Sequence, residues 1–176
     1  MQSRVRRGSI GPLKIRQAGP DDVADLATLH VTCWAETYPG LLPAQEIARY
    51  DRDLRLRQWE QQIAKGTSRI MIAPGAGFAQ IGPQREAALA ARGVEEELYA
   101  LYLLRTAQGA GLGRALFAAA FGPAPGPLSA MVLEGNDRAC RFYEATGARL
   151  AERRPERIGD ALITDLLYLW DTAPAP

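Results

Sequence analysis

The chain of 176 residues is 47% hydrophobic and 23% charged, the size and balance of one ordinary folded domain. Lys and Arg number 21 against 20 Asp and Glu, a formal charge of +1, so no global field favours nucleic acid or an anionic membrane surface. With 2 Cys and 1 His, thiolates and imidazoles alone cannot complete a zinc site, and no metal is expected.

Residues 1–12 read as a flexible basic tail, without the apolar run of a signal peptide, and 173–176 as a frayed end. That leaves 13–172 as a single domain. Leu13 to Arg16 reads as a short strand. Pro20-Asp21-Asp22 opens a helix whose apolar side carries Val23, Leu26, Leu29, Cys33 and Trp34, and Pro39-Gly40 stops it. His30 falls on that apolar side and is expected to be a packed structural residue. Further helices are predicted from Pro43 to Tyr50 and from Asp53 to Lys65, the latter with Leu54, Leu56, Trp59 and Ile63 inward and Gly66 as its end signal.

Arg69 to Ala73 and Gly77 to Ile81 read as a hairpin. Leu98 to Leu104 is nearly all apolar, as in a strand covered on both faces. A helix from Gly111 to Phe121, a strand from Leu128 to Leu133 and a helix from Asp137 to Ala145 follow. Strands at Arg149 to Glu152 and Leu162 to Trp170 complete an α/β order with helices on both faces of a sheet. The apolar stretch from Glu97 to Phe121 is broken by Arg105, Gln108 and Arg114, so no membrane span is expected. Cys33 and Cys140 lie far apart inside helical patterns, which fits free thiols in a reducing, cytoplasmic compartment.

The chemistry-bearing stretch is Gln108-Gly109-Ala110-Gly111-Leu112-Gly113-Arg114, directly after the buried strand. Each Gly costs about 1 kcal/mol relative to Ala within a helix. Glycine admits a ligand close to the backbone, and the free amides of a helix start bind anions. The inferred partner is a diphosphate. A dinucleotide fingerprint would need Gly where Arg114 stands, and the Gly-Lys-Ser/Thr ending of an NTPase phosphate loop is absent.

The segment Gln108–Gly113 resembles the Gln/Arg-x-x-Gly-x-Gly/Ala motif of the GCN5-related N-acetyltransferases (GNAT). Leu133-Glu134-Gly135-Asn136 and Phe142-Tyr143-Glu144 before Gly147 are similar to the last motif of that family. The early helix with Trp34, Tyr38 and Pro39-Gly40-Leu41-Leu42-Pro43 is also common among its bacterial members. The resemblance implies a mixed, mostly antiparallel sheet of about six or seven strands, with a splay between the two central ones. It implies acetyl-CoA as acetyl donor and a primary amine as acceptor, attacking directly in a ternary complex. The backbone from Gln108 through Gly109, Ala110, Gly111, Leu112 and Gly113 to Arg114 would hold the pyrophosphate. The strand Leu101-Tyr102-Leu103 would pair with the pantetheine arm, and an amide near Leu101 would polarise the thioester carbonyl.

By the same resemblance Asn136 bonds the coenzyme as well as capping its helix, and Tyr143 protonates the leaving thiolate. Glu97, eleven residues before Gln108, is the expected base, and Trp34 and Tyr38 line the acceptor side. Two rivals stay open: an acyl-CoA sensor without turnover, and a nucleotide-phosphate binding module. The acceptor and the choice between monomer and homodimer are left undetermined.

Overall fold

The computed structural model describes residues 14–122 and 126–171. The expected tail at 1–12, Leu13 and the end at 173–176 lie outside the described residues. A seven-stranded sheet runs in the order β1-β2-β3-β4-β5-β7-β6. Its strands are β1 (Arg16–Gln17), β2 (Arg69–Ala73), β3 (Gly77–Pro83), β4 (Glu96–Leu103), β5 (Leu128–Leu133), β6 (Arg149–Ile158) and β7 (Ala161–Trp170). Only β4 and β5 pair in parallel; the other neighbours are antiparallel. The helices are α1 (Val23–Thr37), α2 (Ala44–Arg49), α3 (Arg52–Lys65), α4 (Ala87–Ala90), α5 (Leu112–Phe121) and α6 (Asp137–Ala145).

Alternation along the strands sends apolar side chains to both faces of the sheet. Ala73, Ala79, Leu98, Leu128, Tyr168 and Trp170 meet Leu116 and Phe117 of α5 and Tyr143 of α6. Ile70, Ile72, Phe78 and Ala100 meet Leu26 and Leu29 of α1 and Trp59 of α3. Each large side chain so buried contributes roughly 1.5–3 kcal/mol. The strand expected at Arg149 to Glu152 is longer, because its arginines pair with carboxylates along a solvated edge: Arg149 with Asp171, Arg153 with Glu134, Arg154 with Glu86 and Glu152. The short helix α4 was absent from the sequence pattern.

The feature that positions the site is where β4 and β5 part. They pair only from Glu96 to Leu98 against Leu128 to Ala130. Beyond that point β5 stays on β7 as far as Leu133, whereas β4 follows β3 as far as Leu103. The cause lies in β4. Gln80 faces Ala100 and Ile81 faces Leu98, so Tyr99 has no partner on β3 and forms a bulge that bends the strand. The Tyr99 hydroxyl, donating to Pro83 O, holds the bulge in place. The expected splay is therefore a consequence of one extra residue.

Candidate active site

The wedge between β4 and β5 opens into a cavity of about 330 Å³, closed by the start of α5 on one side and α6 on the other. The Leu104 amide donates to Ala76 O at 2.9 Å, so by antiparallel alternation Tyr102 bonds toward β3 and Leu101 and Leu103 turn their N–H and C=O groups toward the wedge. The Leu103 carbonyl accepts from the Gln108 side chain at 2.9 Å, which ties the following loop to the strand. Leu101, Tyr102, Leu103 and Gln108 all line the cavity.

The loop then bends through two left-handed glycines, Gly109 at φ 90° and Gly111 at φ 81°, which side-chain-bearing residues rarely adopt. Gly111 caps α5 with no side chain to offer. The Ala115 amide bonds Gly111 O at 3.1 Å, and the amides of Leu112, Gly113 and Arg114 ahead of it point out of the helix start. Gly109, Gly111, Gly113 and Arg114 line the cavity, whereas Ala110 and Leu112 do not, Leu112 packing toward the core instead. This is a ready anion cradle. Arg114 is partly occupied, donating to Ala145 O at 3.0 Å. Arg138 of α6, which the sequence reading did not single out, also lines the cavity and makes no side-chain hydrogen bond among the described residues.

On the α6 side, Asn136 accepts from the Ala139 amide at 3.3 Å, the expected cap, and lines the cavity too. Two turns on, Tyr143 packs its ring against Phe142, Tyr168 and Trp170 and reaches the same space. Burial raises its phenol above the ordinary value, with nearby Tyr38 and Cys140 adding to the shift. The hydroxyl has no hydrogen-bond partner among the described residues, so it remains a donor in waiting.

Glu97 is not brought to this cavity, contrary to expectation. Its carboxylate, only 5% exposed, accepts from Arg85 Nε at 3.0 Å and from the Arg85 amide at 3.3 Å, and lines a second cavity with Gln84 and Ser129. An acceptor held by a guanidinium in this way is poorly placed to take a proton from an amine in the wedge. Glu97→Gln should lower stability by about 1–2 kcal/mol and leave the pH profile of any turnover unchanged; denaturant melts and rates across pH check both.

Trp34 and Tyr38 stand one layer behind the lining. The rings lie 4.3 Å apart, and the Tyr38 and Tyr102 hydroxyls share a hydrogen bond of 2.7 Å. Only Tyr102 and, from α1, Thr37 reach the cavity there. His30 packs among Trp34, Trp59, Phe78 and Tyr102, and burial, with Arg55 nearby, lowers its pKa to about 3. It is neutral and structural. Glu36 accepts from the Arg105 amide at 2.7 Å, fastening the end of α1 to the glycine loop. Cys33 is buried, with its thiol pushed up to about 12.

Residues 29–148 match the model of the acetyltransferase (GNAT) family. The chain belongs to the GNAT acetyltransferase family. A relative, the uncharacterised N-acetyltransferase YuaI of Bacillus subtilis (strain 168), is 34% identical over 106 residues, which are 59% of this chain and 60% of that protein. Among solved structures, the N-acetyltransferase PaiA of Thermoplasma acidophilum in complex with coenzyme A aligns with a TM-score of 0.65 at 17% identity, over 90% of this chain and 98% of that one. The ribosomal-protein-alanine N-acetyltransferase of Brucella melitensis aligns at 0.64 and 18%, over 90% and 99%. At these identities the likeness establishes the common GNAT fold. No helix of the described residues is long and apolar enough to cross a membrane.

Proposed function

We propose that this protein transfers an acetyl group from acetyl-CoA to a primary amine. The observation that carries the reading is the pairing of open amides at the start of α5 with an unpaired backbone edge on β4, both facing one cavity. The first takes a pyrophosphate and the second an amide-bearing tether. Coenzyme A in the complex of the Thermoplasma relative supports the same assignment. Asn136 and Arg138 bound the cavity beside the phosphates.

In this reading the Leu101 amide donates to the thioester oxygen as charge develops there. The amine adds to the carbonyl carbon, the C–S bond breaks, and Tyr143 donates a hydrogen bond or proton to the departing sulfur. The amine loses its proton to water, since Glu97 is engaged by Arg85. Direct attack fits thiols that burial keeps protonated, Cys33 pushed up to about 12 and Cys140 raised as well. Free thiols also make the cytoplasm the proposed compartment.

Melting temperature with acetyl-CoA, ATP or NAD, together with thiol release over an amine panel, tests the proposal. Acetyl-CoA at about 100 times its Kd should stabilise the fold by about 2.7 kcal/mol, and thiol should appear only when amine is present. Stabilisation by ATP or NAD alone would remove the reading. Stabilisation without thiol release on any amine would make the protein a sensor.

A further inference from the structure

Five buried side-chain atoms lack a hydrogen-bond partner among the described residues: His30 Nδ1, Trp34 Nε1, Trp59 Nε1, and Arg55 Nε and Nη2. All of them sit in one cluster. His30 lies 6.0 Å from the Trp34 ring and 5.7 Å from that of Trp59, and the Arg55 guanidinium lies 4.8 Å from the Trp34 ring and 4.5 Å from that of Tyr50. Arg and Trp can only donate, and the neutral His30 ring offers a single acceptor nitrogen, so donors outnumber acceptors in the cluster.

Arg55 is the exceptional member. It is 7% exposed, and no carboxylate pairs with it among the described residues. An unpaired buried cation is costly, and two aromatic faces offset only part of that cost. Burial lowers its pKa accordingly. Gln58 Oε1 takes Nη1 at 2.9 Å and fixes the plane of the guanidinium. What remains free is the Nε and Nη2 edge, two parallel N–H groups in the fork that grips a carboxylate.

The cluster is coupled to the reaction cavity. From Arg55 the contacts run to Trp34, from Trp34 to Tyr38 at 4.3 Å, and from the Tyr38 hydroxyl to that of Tyr102 at 2.7 Å. Tyr102 lines the wedge beside Leu101, and its side chain packs on the α1 and α3 face, opposite α5. Tyr50, which covers the guanidinium, ends α2, a helix that buries none of its residues.

We infer that the Nε and Nη2 edge of Arg55 receives a carboxylate of the acceptor, so that the acceptor is an amine that also carries a carboxylate. This rests on the acetyl-transfer reading above and adds the substrate class. The acceptor carboxylate supplies the counter-charge that the described residues omit.

The test is thiol release by the full chain with amino acids and their own carboxamides, rates being compared per concentration of free amine. The acids should exceed their amides about 10²-fold or more in kcat/KM, as for sites built to bond one polar group. Arg55→Lys, which keeps the charge and loses the fork, should raise KM for the acids about tenfold or more with KM for acetyl-CoA unchanged, and Arg55→Met should abolish the preference. Amides used as well as acids by the wild type, or a preference that survives in Arg55→Met, would overturn the inference; if that variant does not fold, the wild-type comparison and Arg55→Lys decide. Thiol release with no preference leaves acetyl transfer standing, whereas no release with any amine defeats acetyl transfer and this site together.

Discussion

Tyr143→Phe should lower kcat about 10²-fold while the affinity for acetyl-CoA and the melting temperature stay close to wild type. The ring makes the structural contacts, against Phe142, Tyr168 and Trp170, and Phe retains all three. Only the hydroxyl is lost, and it bonds no other described residue. A thiol leaving group has a pKa near 8.5 against about 10 for an ordinary phenol. Burial raises Tyr143 further, so complete proton transfer is uphill, and in the proposed reaction the hydroxyl would serve mainly as a donor to developing charge on sulfur. The sign of the pH effect follows. A raised pKa keeps Tyr143 protonated through and beyond pH 10, so ionisation of this residue should not cut the rate on the alkaline side below that pH. Thiol-release kinetics and melting curves on the two proteins check all of this, and normal turnover with lost coenzyme binding would contradict the assigned role.

The glycine loop was legible because three glycines cluster where a helix begins; Gly109 and Gly111 prove to take the left-handed bend ahead of α5, and only Gly113 bears the cost of standing inside it. The order of strands and helices was legible from length: the continuous apolar runs at Leu98–Leu104 and Leu128–Leu133 are short for a buried helix, and they alternate with longer segments of helical period. The splay was expected only from the resemblance. Its cause, the unpaired Tyr99, needs the register of β3 on β4, which no periodicity reveals. Glu97 shows the same limit. Its partner Arg85 lies twelve residues away across that hairpin, and only the register brings the two together.

Arg55 was missed for a different reason. The helix pattern placed Leu54, Leu56, Trp59 and Ile63 inward, and an arginine among them reads as a solvated neighbour. Yet Arg55 and Trp59 are four apart and share a face, and both are buried, while Leu54 and Leu56 are only half so. Helical spacing from the tryptophan was the available signal. What the sequence could not carry was that no carboxylate of the described residues meets the charge.

Gly111→Val tests the anion cradle most severely. At φ 81° a branched side chain is strained by about 2 kcal/mol, which in a domain of this size should lower the melting temperature by about 4–8 °C. Nothing lies within 4 Å of a Cβ placed there, so the fold itself has room. The added side chain would stand in the cavity that Gly111 lines, on the approach to the α5 amides that the proposed pyrophosphate would use. Losing one or two charge-assisted bonds of about 1.5–3 kcal/mol each should weaken acetyl-CoA about 10²-fold or more. Gly147 provides the control: it too is left-handed, at φ 93°, with nothing within 4 Å of an added Cβ, but it lies past the end of α6 and does not line the cavity. Gly147→Val should therefore show comparable strain in the melt and unchanged affinity. Calorimetric titration of both variants with acetyl-CoA separates the effects, and equal affinities for the two would mean that the bend at Gly111 shapes the backbone without holding a phosphate.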